Sequence, residues 1–166
     1  MTVKFFRRAE VASYSTLLGL VFLFDLLFTL PPFLTHTGFN PDLLYRFFQP
    51  VCHQMDSRSF HIFGYKLAVC SRCASIYYGL TLGIIMYPLF RPLEKIEVPS
   101  FMYLSIPLLF LAADFALNFV TPIHNTFASR AVTGGLLGVS TSFFLVPIWV
   151  ALLKEFKTRK LLQHEK

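Results

Sequence analysis

The sequence predicts an all-α integral membrane protein, a four-helix transmembrane bundle with a small cysteine-containing loop between spans one and two. Three observations carry this. Hydrophobic residues make up 55% of the 166-residue chain and charged residues only 14%, against roughly 25% charged in an ordinary globular domain. The apolar residues, 20 Phe among them, fall in long blocks rather than in the periods of half-buried elements. Basic residues flank those blocks, with Lys4, Arg7 and Arg8 before the first and Lys154, Lys157, Arg159 and Lys160 after the last. A net charge of +6 distributed in this way belongs to membrane-flanking segments. It does not form a basic recognition face, so no nucleic-acid partner is expected and the lipid bilayer is. The length suits one membrane domain over residues 1–166, with no internal repeat.

Each element follows from local signals. Residues 1–10 form a basic head, and an apolar run from Val11 to about Leu34 contains one charge, Asp25. A secretory signal peptide shares that layout, but no A-x-A-like cleavage site follows, so the run is expected to remain as span one. Residues 35–72 are the longest polar interval. Within it, a short interfacial helix is predicted from Pro41 to near Pro50. A small hairpin is predicted on either side of Gly64, where SFHIFGYKLAV alternates apolar and polar residues. Span two is expected at about 73–90, span three at 101–121 and span four at 129–153. Span three would be about 31 Å long at 1.5 Å per residue, matching the hydrocarbon thickness. Gly79 and Gly83, and Gly134 and Gly138, are G-x-x-x-G pairs that let helices approach closely. They point to packing within the bundle, with homo-oligomerisation as the other use.

Four spans put both termini on one side of the membrane. The head, the 91–100 loop and the tail then carry ten Lys/Arg residues, and the other side carries five: Arg46, Arg58, Lys66, Arg72 and Arg130. The positive-inside rule orients the termini to the cytoplasm and the cysteine loop outward. That orientation gathers dispersed polar residues at one level: Arg58, Asp114, Asn118 one helical turn on, His124, Asn125 and Arg130, beside Cys70 and Cys73. A carboxylate in the bilayer costs about 2.5–3.5 kcal/mol on insertion scales, so Asp114 calls for a partner, and Arg130 on the next helix is the expected one. The group reads either as an ion pair holding spans three and four together or as a polar pocket in which Arg130 offers a fork to a phosphate or carboxylate. Arg58 and Arg72 also suit lipid-headgroup anchoring.

All three cysteines lie between Cys52 and Cys73. Cys70 and Cys73 form a C-x-x-C at a helix start, where the helix N-terminus favours ionised sulfur. With Cys52-His53 upstream of the hairpin, they make a Cys₃His set, Cys52, His53, Cys70 and Cys73, of the kind that closes a structural zinc site; iron is the other metal considered. Because Cys52 and His53 are adjacent, His61 or His124 are alternative fourth ligands. A second reading is thiol–disulfide exchange through the C-x-x-C, with Cys52 as the resolving thiol; an odd cysteine count leaves that system incomplete. No catalytic residue can be assigned, since neither paired carboxylates nor a Ser-His-Asp order is present. A transporter or channel subunit, with Asp25, Asp114 and Arg130 lining a path, is a third reading, and four spans are few for it.

The run C-H-Q, Arg58-Ser59-Phe60, Gly64, C-S-R-C and I-Y-Y-G resembles a family of small prokaryotic predicted membrane proteins of unknown function. The second half agrees, with Asp114, Asn125, Arg130, Thr133-Gly134 and Gly138 in a D…N…R-x-x-T-G-x-x-x-G order over roughly residues 45–140. Ala74-Ser75 stands where that family more often has Thr-Gly, and Phe115 where it often has Gly. The resemblance implies a multi-span protein of a prokaryotic inner membrane and marks these residues as a shared site, without a reaction. The expected function is therefore a metal-stapled outer loop beside a pocket for a small or lipid-linked anion.

Overall fold

A computed structural model describes residues 2–93, 95–120 and 125–164. The chain is mostly helical, with one two-stranded sheet. Helix α1 (Thr2–Thr29) is followed at once by α2 (Pro31–His36). The break has a covalent cause: Pro31 and Pro32 have no N–H to offer the preceding turn, while Leu30 N–H still reaches Leu26 O at 2.9 Å. Helix α3 (Asp42–Phe48) lies inside the predicted interfacial segment. Strands β1 (Ser59–Ile62) and β2 (Tyr65–Cys70) pair antiparallel, Ile62 opposite Tyr65, and enclose a two-residue turn of Phe63 and Gly64. Both turn residues have positive φ, 54° and 82°, as a type I′ turn demands. Gly64 accepts this readily and Phe63 is strained. Helices α4 (Ser71–Phe90), α5 (Met102–Val120) and α6 (Phe127–His164) complete the chain.

Three segments are long and apolar enough to cross a membrane by length and composition: Glu10–His36, Ser71–Phe90 and Phe127–Phe156. Helix α5 occupies the position of the expected third span, and its described apolar stretch, Met102–Leu117, is shorter. Large apolar side chains such as Phe22, Leu26, Leu82, Ile85, Leu109 and Leu136 are at least half exposed, as expected of surfaces that face lipid.

The tightest contact is between α4 and α6. A Cβ on Gly79 would fall within the backbone of Gly135, and one on Gly138 within the backbone of Ile76 and Leu80. The two G-x-x-x-G pairs thus face each other across one helix pair of this chain, which brings the N-terminal ends of α4 and α6 to the same level. Two apolar clusters flank the contact. Leu17, Ile84, Tyr87, Val146 and Val150 fill one end of the bundle. Phe28, Phe48, Leu67, Ala68, Val69 and Ala74 fill the other, under the hairpin. In β2, three consecutive residues, Leu67 to Val69, are buried. The strand is covered on both faces by α1, α2, α3 and α4, so the small sheet is built into the bundle's end.

Candidate metal centre and polar pocket

The turn after α3 positions Cys52. Its own N–H bonds Phe48 O at 3.0 Å, and its Sγ accepts N–H bonds from Gln54 at 3.5 Å and Cys70 at 3.1 Å. Gln54 achieves this at a φ of 51°, and its side chain is tied down by donating to Tyr45 O at 2.7 Å. Lys66 Nζ meanwhile donates to Gln54 O at 3.0 Å. Two N–H dipoles aimed at one sulfur suit a negatively charged ligand atom. Cys70 ends β2 and caps α4, and Cys73 sits one turn in on the same face. The three sulfurs lie within 4.8 Å of one another, and all three cysteines are free thiols. Tetrahedral zinc with Zn–S of about 2.3 Å needs sulfurs about 3.8 Å apart, so only a small contraction separates this cluster from a coordination triangle. Hydrogen bonds from the Cys52 and Cys73 sulfurs, aided by the backbone N–H groups of Cys73 and Arg72, outweigh burial and push the Cys70 thiol well below the ordinary cysteine range.

No histidine nitrogen or carboxylate joins the three sulfurs among the described residues. His53, expected as the fourth ligand, is exposed at the edge of the adjoining cavity because it occupies the outer corner of the turn that aims Cys52 inward. His61 is engaged with Asp56 at 3.3 Å. His124 lies outside the described residues.

The cavity beside the sulfurs has a volume of about 370 Å³. Cys52, Cys70, Cys73, Arg58, Arg72 and Arg130 line it, together with His53 and Asn125. Asp114 stands behind this wall, and its partner differs from the expected one. Arg72 Nη2 donates to Asp114 Oδ2, Asn125 Nδ2 donates to the same oxygen at 2.7 Å and to Asp114 O at 2.6 Å, and Arg130 takes no part. The Arg72 guanidinium also stands 5.5 Å from the Phe115 ring centre. Arg72 wins because it opens α4, the helix drawn against α6 by the glycine contact, and so reaches α5 at the depth of Asp114. Arg72 thus makes a part-buried ion pair, a use the headgroup-anchor reading did not include. The side chain of Asn118 lies outside the described residues. Asp25 lies apart from the cavity: it is 5% exposed, and Thr81 of α4 donates to its Oδ2 at 2.5 Å.

The sequence reading missed Arg72 as a member of the site, although its place between the cysteines in C-S-R-C was a usable signal. It also missed the apolar part of the wall, Val51, Met55, Ile76 and Phe115; Ile76 and Phe115 stand at motif positions, whereas Val51 and Met55 carried no sequence signal.

Residues 52–144 match the family described as "Predicted membrane protein (DUF2085)", a segment that opens on Cys52 and takes in every cavity residue named above except Val51. The chain belongs to this family. It is also similar to the uncharacterized protein MJ1492 of Methanocaldococcus jannaschii, with 37% identity over 115 residues, covering 69% of this chain and 74% of that one. No solved structure matches. The family brings membrane residence without a reaction, so the chemistry must be argued from the cysteines and arginines.

Proposed function

We propose that this DUF2085 protein holds a divalent metal ion, zinc by its donor chemistry, on Cys52, Cys70 and Cys73, and that the ion forms one wall of an anion-binding pocket. The observation that carries the proposal is the convergence of three sulfurs, from two separate chain segments, on a cavity that also collects three arginines. Three thiolates and a divalent ion carry one net negative charge, which the arginines offset. Cys52, Cys70 and Cys73 would supply three ligands to such an ion, and a fourth would have to come from elsewhere, such as a group or anion in the adjoining cavity. Cobalt substitution tests this: metal-stripped protein should bind about one Co²⁺ with sulfur charge-transfer absorption, which Cys73→Ser should weaken. Absence of that absorption in folded wild type refutes the metal reading.

The low-lying thiol of Cys70 favours disulfide exchange as a second reading, and that reading fails if alkylation without reductant always finds Cys70 and Cys73 reduced. In the membrane, we read α5 as a fourth span, both termini as cytoplasmic and the cysteine loop as extracytoplasmic, on the strength of the ten-to-five bias in Lys/Arg. Green fluorescent protein fused after Lys166 should then fluoresce; a dark, exported fusion contradicts this orientation.

A further inference from the structure

Arg130 is only 9% exposed, yet among the described residues neither it nor Arg58 takes a carboxylate. The carboxylate at hand, Asp114, is committed to Arg72 and Asn125. Arg58 and Arg72 are also close enough to act on Arg130 as like charges. Cys70 and Asp114 act on Arg130 as opposite charges, so three guanidiniums against two negative groups leave one positive charge that an entering anion would neutralise. The cavity that Arg130 lines has room for one.

The donor arrangement narrows the anion. A carboxylate has two oxygens, and a single arginine fork engages both; in Asp114 it is Oδ2 that is engaged, by Arg72 Nη2 and Asn125 Nδ2. Two further forks converging on one ligand suit a tetrahedral oxyanion with more acceptor positions. Three apolar wall residues, Val51, Met55 and Phe115, are 56%, 47% and 50% exposed. Val51 and Met55 follow α3 in the segment before β1, and Phe115 packs near Arg72 at the start of α4; with α4 and α5 read as spans, this is the headgroup level of a bilayer. We infer that the cavity binds the phosphate group of a membrane lipid, with Arg58 and Arg130 on the phosphate oxygens and Val51, Met55 and Phe115 against the adjoining apolar chain. This rests on the anion-pocket half of the proposed function and is separable from its metal half.

The test is a native mass-spectrometry titration of the full chain in a phosphate-free, non-ionic detergent. Three probes are used: dioctanoyl phosphatidic acid, dioctanoylglycerol as its phosphate-free twin, and inorganic phosphate. One phosphatidic acid should bind per chain and the diacylglycerol should not. Arg58→Gln and Arg130→Gln should each weaken phosphatidic acid binding at least about tenfold, the effect of losing one charge-assisted fork. Arg130→Lys, which keeps the charge, should fall between wild type and Arg130→Gln. Arg58 lies on a surface turn, so Arg58→Gln carries the test if Arg130→Gln does not fold. Equal binding of the two lipids, or unchanged binding in both Gln variants, overturns the inference. Inorganic phosphate binding as tightly as the lipid overturns the lipid as source. Metal content measured on the same samples separates the two claims, because phosphatidic acid binding by metal-free wild type counts against the metal ion alone.

Discussion

Breaking the Arg72–Asp114 pair should be the most costly polar change in the bundle. Asp114→Asn removes the charge and leaves the Arg72 guanidinium unpaired at 18% exposure, with the Asp114 position itself at 13%. Two unit charges about 4 Å apart at an effective dielectric of about 20 attract by about 4 kcal/mol. Removing one partner of a buried pair typically costs about 3–5 kcal/mol, because the survivor keeps its desolvation penalty. Asp114→Asn and Arg72→Gln should each destabilise by about 3 kcal/mol or more, and the double variant should cost much less than the sum, with a coupling of about 2 kcal/mol. The same cycle between Asp114 and Arg130 should give less than half that coupling, since Arg130 acts on Asp114 only through space. Reversible denaturation in mixed micelles, followed by circular dichroism, measures all four corners. A larger coupling for Asp114 with Arg130 than with Arg72 would refute the assignment of the pair and the geometry of the pocket wall.

Two further outcomes follow from the packing and from the cysteine cluster. Gly138→Val puts methyl groups into the backbone of Ile76 and Leu80 and should cost about 3 kcal/mol, the top of the usual overpacking range, read as lost folded yield in detergent; wild-type stability would disprove the α4–α6 contact. The lowered Cys70 thiol should be largely ionised below the ordinary cysteine value. Its iodoacetamide alkylation in metal-stripped protein should therefore change little between pH 6 and 8, where an ordinary thiol speeds up roughly 100-fold. An ordinary pH profile at Cys70, mapped by peptide mass spectrometry, would contradict the hydrogen-bonded cluster.

Much of the fold was legible because its signals are local. Pro41 and Pro50 bracket α3, Gly64 marks the hairpin turn, and the apolar blocks mark the long helices. The cysteine cluster was legible for a similar reason: helix periodicity puts Cys70 and Cys73 on one face, and the hairpin carries the chain back to Cys52. What escaped depends on which helices touch. Depth alone offered Asp114 several arginines, and adjacency along the chain favoured Arg130, whereas the α4–α6 glycine contact delivers Arg72. The Thr81–Asp25 bond between α4 and α1 and the two-sided burial of β2 were invisible for the same reason. His53 was chosen by residue type, and the tight turn that aims the Cys52 sulfur inward leaves its neighbour facing out.

The central claim is that three cysteines hold one metal ion. Elemental analysis of the purified full chain, beside Cys73→Ser prepared identically, tests it most directly. About one equivalent of zinc or iron per wild-type chain, largely lost in the variant, is the predicted result. A well-folded wild-type protein without metal would contradict it.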